Sequence, residues 1–150
     1  MYPITLAIHN ILRWVVLILA IVATVRAYLG WFGKRPWTER DRKTGAFLGM
    51  ALDIQLLVGL LLYLVLSPIT KAAFQGFGAA MQVADLRFFA LEHVFYMLLA
   101  VAFAHLGSIL PRKVDDPTAK FKRAAIWFSL ALLVILLGMP WMRPLLPGLG

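Results

Sequence analysis

Six ionisable residues interrupt otherwise apolar stretches of this sequence, and their chemistry needs an explanation: His9, Arg13, Asp53, Glu92, His93 and His105. Imidazoles can bind a metal ion or exchange a proton, and carboxylates can pair with a cation. Ionisable groups are costly to place inside a bilayer, so they usually serve a function and face a partner. We therefore expect these side chains to contact one another rather than lipid.

The apolar stretches indicate a membrane protein. The chain of 150 residues is 62% hydrophobic, whereas soluble domains are about half apolar. Its length suits one domain, residues 1–150. Cysteine is absent, which excludes disulfides, thiolate metal sites, iron–sulfur clusters and covalently attached haem. The first apolar run lacks a preceding basic segment, so we do not expect a cleavable signal peptide.

Four segments are long enough to cross the hydrocarbon core as helices, at about residues 6–31, 46–66, 86–110 and 124–141. The segment between the second and third spans is predicted to carry a short interfacial helix. The predicted fold class is therefore all-α, a bundle of four transmembrane helices. Each half has a histidine near the outer end of its first span, a basic loop, and then a span containing glycine. This pattern is compatible with a 2+2 pseudo-repeat.

The net charge of +8 indicates topology rather than binding to nucleic acid. Eleven of the fifteen basic residues lie in or beside the first and third loops. The positive-inside rule places these loops in the cytoplasm and both termini outside, in a bacterial cytoplasmic membrane. The expected partners are the lipid bilayer and a larger membrane complex or a homo-oligomer.

This topology pairs polar residues by their depth in the membrane. The first and third spans both enter from outside, so His9 and His93 are predicted to lie in the same leaflet. Two imidazoles at one depth on separate helices of a bundle suit the axial ligation of a b-type haem. His9 and His93 are therefore the candidate metal ligands, and Arg13 and Arg87 are candidate cations for the haem propionates.

Two other interpretations remain open. In one, Arg13 and Glu92 form a structural ion pair, and the protein is a cofactor-free accessory or assembly subunit of a larger membrane complex. In the other, Asp53, Glu92 and His105 serve a small proton-coupled carrier. Asp53 and His105 form an inner layer, about 18 Å along the helix from His93, and a hydrogen bond between them is favoured over a proton path. An electron-transfer or accessory subunit is favoured over a stand-alone enzyme.

Four motifs in sequence resemble a family of small bacterial four-span membrane proteins, some labelled cytochrome b-like. They are His9-Asn10-Ile11-Leu12-Arg13-Trp14, Gln55-Leu56-Leu57-Val58-Gly59-Leu60-Leu61-Leu62-Tyr63, Arg87-Phe88 before Glu92-His93, and Gly138-Met139-Pro140-Trp141. The resemblance covers nearly the whole chain, and its specificity comes from motif order and spacing. It implies haem, with His9, Arg13, Glu92 and His93 as the characteristic polar set. Asp53 stands where relatives more often carry histidine, which argues against a second haem.

Overall fold

Residues 1–143 are described by a computed structural model, and this part of the chain is helical, with no β-strand. Four of its helical segments are long and apolar enough to cross a membrane: Tyr2–Phe32, Glu39–Leu66, Ala84–Lys113 and Pro117–Gly138. The chain is thus an integral membrane protein with an all-α four-helix bundle, and the predicted fold class is confirmed.

The described residues form seven α-helices, five of which lie within the four spans. The helices are α1 (Tyr2–Phe32), α2 (Glu39–Leu61), α3 (Pro68–Gln75), α4 (Phe77–Ala80), α5 (Ala84–Arg87), α6 (His93–Ile109) and α7 (Pro117–Gly138). A π-helical turn, Leu62–Leu66, extends α2, and a second one, Phe88–Glu92, precedes α6. Helix α3 is the short helix that we expected between the second and third spans.

Local capping residues set where two spans begin, both earlier than the apolar runs predict. At the start of α2, Asp41 accepts hydrogen bonds from the backbone N–H of Thr38 at 3.0 Å and from its hydroxyl at 2.6 Å. At the start of α7, Asp116 accepts from the N–H of Ala119 at 2.6 Å. Such caps satisfy N–H groups that have no partner inside the helix. The apolar pattern locates the membrane-embedded part, and the caps extend each helix beyond it.

The helices are arranged so that α1 and α6 face each other diagonally. Each of them packs against both α2 and α7. At the end that carries the first and third loops the bundle is closed, because rings lie against helix backbones: Phe121 against Gly30, and Phe128 against Gly45 and Gly107. Fully buried alanines continue this close packing toward the centre: Ala20, Ala100, Ala104, Ala125 and Ala131.

The outer surface of the bundle is apolar along its length. Helix α1 illustrates this with an exposed stripe at helical spacing: Ile4, Ile8, Ile11, Val15, Ile18, Val22, Val25 and Leu29. A continuous apolar stripe on the exposed side of a helix is suited to contact with lipid rather than water.

The two basic loops lie at the same end of the bundle. The Lys122 ammonium lies 5.8 Å from the centroid of the Trp31 ring, which joins the start of α7 to the end of α1. In addition, Arg26 of α1 donates a hydrogen bond to Asp41 of α2 at 2.5 Å. The opposite end carries the start of α1, the end of α7 and helix α3.

Candidate functional site

The His9 ring packs against α2 at two residues that lie one turn apart, Gln55 and Gly59. The side-chain amide of Gln55 donates to the His9 carbonyl at 3.0 Å, and its nitrogen is 3.5 Å from His9 Nε2. One turn further, Gly59 lies so close that an added Cβ would come within 3.1 Å of His9 Cε1. His9 Nδ1 is buried and has no hydrogen-bond partner among the described residues. The ring is thus held by packing and by its neighbours on α2.

His93 is oriented by the last residue of α7. Its Nδ1 lies 2.6 Å from the Gly138 carbonyl oxygen. A carbonyl can only accept, so Nδ1 carries the proton, and in the neutral ring Nε2 has the free lone pair. The Gly138 carbonyl can accept because the last carbonyls of a helix have no partner within it. This is the arrangement in which a metal-binding histidine usually occurs, with the second nitrogen donating to a carbonyl or carboxylate.

The two rings face each other across the bundle, as the depth argument predicted. The ring centroids of His9 and His93 are 6.3 Å apart, and the ring planes are inclined by 74°. Because α1 and α6 are diagonal helices, the space between these rings lies on the bundle axis.

Both histidines line a cavity of about 540 Å³ in the half of the bundle away from the basic loops. This volume is within the range of pockets that hold small molecules and cofactors, about 300–1,000 Å³. The inner part of the cavity is apolar and includes Val16, Leu52, Val101 and Ile135. The outer part is more polar and includes Asn10, Tyr63, Thr70 and Arg143.

Two arginines line this cavity, and only one of them was predicted. Arg13 lies one turn beyond His9 on α1 and is only 7% exposed. Its guanidinium carbon is 5.9 Å from the centroid of the Trp14 ring. Arg143 lies at the other end of the cavity, donates to Asp85 at 3.1 Å and lies 5.3 Å from the Phe89 ring centroid. The cavity therefore offers a cation at each end.

Arg87 and Glu92 differ from their predicted roles. Arg87 Nε donates to Glu92 Oε1 at 2.7 Å, and a second guanidinium nitrogen donates to the Met81 carbonyl at 3.2 Å. Neither residue lines the cavity. The physical reason is the π-helical turn, whose five-residue hydrogen-bond period brings residues five apart onto one side. The structure thus pairs Glu92 with Arg87 rather than with Arg13, and Arg143 rather than Arg87 lines the cavity.

The inner polar layer forms as predicted. His105 Nε2 is 2.9 Å from Asp53 Oδ1, and a Cβ added at Gly49 would lie 3.3 Å from His105 Cε1. Both side chains remain partly exposed, 41% for His105 and 48% for Asp53. The pair lies on the outer surface between α2 and α6 and does not line the cavity.

Comparisons with known proteins give no match for this chain among family models, curated proteins or solved structures. The resemblance to a family of four-span proteins therefore stays a prediction. Within the described part of the chain, no group of three or more histidine, cysteine, aspartate or glutamate side chains could hold a metal ion.

Sequence reasoning missed the residues that hold the histidines. Gln55, Gly59 and Gly138 occur in the motifs noted above. A motif alone does not predict that a backbone carbonyl will contact an imidazole. The spacing offers one signal in retrospect. The histidine on the first helix of each half contacts a glycine on the second, as His9 does Gly59 and His93 does Gly138.

Proposed function

We propose that this protein binds one b-type haem between His9 and His93 and takes part in electron transfer within the membrane. One observation carries the proposal: two imidazoles on diagonal helices face each other across a cavity of cofactor size. The ring centroids are 6.3 Å apart, and each histidine would hold the haem iron through one imidazole nitrogen.

The donor set fits a haem better than a bare ion. Two imidazoles would leave a lone metal ion with too few protein ligands, whereas a porphyrin supplies four nitrogens and needs only axial ligands from the chain. His93 is held by the Gly138 carbonyl with its Nε2 lone pair available. Gly59 leaves room for the His9 ring where any larger side chain would crowd it.

The remaining cavity residues have complementary tasks. Arg143, in the polar outer part of the cavity, would neutralise the propionates, because carboxylates in a low-dielectric site need charged partners. The apolar inner wall would exclude water from a bound porphyrin. Haem iron bound there would supply one-electron redox chemistry.

Three histidine variants test the proposal. We expect the purified wild type to show a low-spin haem spectrum, and His9→Ala and His93→Ala each to lose it while still inserting in the membrane. His105→Ala is the matched control, because His105 lies in a span but not at the cavity, and it should keep the spectrum. A wild type without haem, or a six-coordinate spectrum unchanged in His9→Ala, would contradict the proposal.

We also propose the orientation of the protein in a bacterial cytoplasmic membrane. The two basic loops lie at one end of the bundle, and the positive-inside rule assigns that end to the cytoplasm. Both termini and the proposed haem site would then lie toward the outer face. The repeated contact between a histidine and a glycine supports the 2+2 pseudo-repeat.

A second candidate function, as an accessory subunit of a larger membrane complex, is favoured by the inner polar pair. Asp53 and His105 are partly exposed at a depth where lipid would surround them, and exposed ionisable groups in hydrocarbon are costly. Contact with another transmembrane subunit or a second copy would remove that exposure. Cross-linking from a cysteine at Met50, beside the pair, tests this. A strictly monomeric protein in native membranes would argue against it.

A further inference from the structure

Two spans depart from α-helical winding where they meet beside the cavity. The second span ends in the π-helical turn Leu62–Leu66, and the third begins with Phe88–Glu92. Single π-helical turns are rare and occur frequently at functional sites. In the second turn, the backbone N–H of His93 itself donates to the Phe88 carbonyl, five residues back. The winding of this turn therefore sets the direction in which His93 leaves its helix.

Hydroxyl groups satisfy a carbonyl in each π-helical turn. The Tyr63 hydroxyl donates to the Ala90 carbonyl at 2.6 Å, from the first turn to the second. The Thr70 hydroxyl, on α3, donates to the Tyr63 carbonyl at 2.7 Å. The Tyr63 ring also packs edge-on against Phe74 of α3, with centroids 5.4 Å apart. These contacts connect α3 through Tyr63 to the turn that immediately precedes His93.

The arrangement has a physical consequence for the site. A buried carbonyl without a partner is costly, and a π-helical turn that reverted to α-helical winding would rotate the residues before it by about 100° relative to those after it. The Tyr63 hydroxyl stabilises the π-helical form because it donates a hydrogen bond to the Ala90 carbonyl in the middle of this turn. Tyr63 and Thr70 both line the same cavity as His93, so they act within the site.

We infer that Tyr63 is a positioning residue for His93, and that α3 fixes Tyr63 through Thr70. The inference rests on the proposed function, because positioning matters when His93 is an axial ligand. In this role Tyr63 does not touch the metal. Its hydroxyl keeps the π-helical turn at residues 88–92 in the form that directs the imidazole toward His9.

The test is ligand exchange in the haem-loaded protein. Tyr63→Phe removes one hydroxyl and keeps the ring. We expect carbon monoxide to displace an axial histidine from the ferrous haem about threefold to tenfold more readily, the factor that one neutral hydrogen bond contributes. A high-spin fraction should also appear in the oxidised spectrum. Thr70→Val should change both in the same direction, and it serves as the readout if Tyr63→Phe does not fold.

Tyr28→Phe is the matched control. The Tyr28 hydroxyl accepts from Ser129 at 3.1 Å and so also joins two spans, but Tyr28 does not line the cavity. Its substitution should lower thermal stability without changing carbon monoxide binding or spin state. If Tyr63→Phe behaves like Tyr28→Phe, with lower stability and unchanged ligand exchange, the tyrosine is merely structural and the inference is overturned.

A wild type that binds no haem would refute the proposed function. The positioning role of Tyr63 can still be tested in that case. Amide hydrogen exchange of residues 88–93 in the haem-free protein is then the readout. Tyr63→Phe should accelerate exchange in this segment, and Tyr28→Phe should leave it unchanged. Equal exchange in Tyr63→Phe and the wild type would overturn the positioning role.

Discussion

At the scale of single residues, Gly138 is as important for the geometry of the site as the histidine that it contacts. Gly138 supplies the carbonyl that orients His93, and it lies where α7 closely approaches α6. A Cβ at this position would come within 2.8 Å of Tyr96 Cβ and would also meet the end of Met97. Glycine therefore permits the contact between helices on which the orientation of the imidazole depends.

Gly138→Ala should consequently destabilise the bundle. Tyr96 Cβ is attached directly to the helix and cannot move away alone, so the helices must separate, and overpacking of this kind costs about 1–3 kcal/mol. Unfolding in mixed detergent micelles measures the loss. Gly76→Ala is the control, since nothing lies within 4 Å of an added Cβ there. Equal stability of the Gly138→Ala and Gly76→Ala proteins would show that α6 and α7 are not closely packed at this point.

At the scale of the elements, apolar runs predict most of the structure. The runs locate the four spans, and the Thr38/Asp41 cap then extends α2 beyond its apolar run. The π-helical turns were not predictable, because their stability depends on Tyr63 meeting Ala90, 27 residues away. The Arg87–Glu92 pair was missed for the same reason, since an α-helical spacing does not place residues five apart together.

Asp41 supports two elements at once and should be sensitive to substitution. It caps α2 through Thr38, and it pairs with Arg26 of α1 while only 6% exposed. Asp41→Ala removes both contacts, and we expect a loss of about 1–2 kcal/mol, the upper range for a helix cap. Thermal unfolding in detergent measures it.

Glu39→Ala is the matched control at the same helix start. Glu39 pairs with Arg42 on one exposed surface, and its side chain is 57% accessible. Exposed pairs of this kind contribute little, so this variant should unfold close to the wild type. If Glu39→Ala proved as damaging as Asp41→Ala, general electrostatics of the basic end rather than the specific cap would explain the result.

At the scale of the whole molecule, the bundle is closed at one end and open at the other. Alanines and phenylalanines fill the end with the basic loops, while the opposite half holds the cavity between diagonal helices. The sequence predicted that His9 and His93 lie at the same depth in the membrane, because the helical rise converts residue number to depth. It could not give the side that each ring faces, which depends on packing against α2 and α7.

The proposed orientation gives a direct test, because the chain contains no cysteine. A single cysteine at Lys34, in the first loop, should react with a membrane-impermeant maleimide only after the cells are opened. A cysteine at Lys71, on α3, should react in intact cells once the outer membrane is permeabilised. The reverse pattern would invert the topology and place the cavity toward the cytoplasm.

The central claim, a haem held by His9 and His93, is tested most directly by the electron paramagnetic resonance spectrum of the oxidised wild-type protein. A haem held by one imidazole nitrogen of each histidine would give a low-spin ferric signal. We predict that signal, with one haem for each chain. A high-spin signal, or protein without haem, would contradict the account.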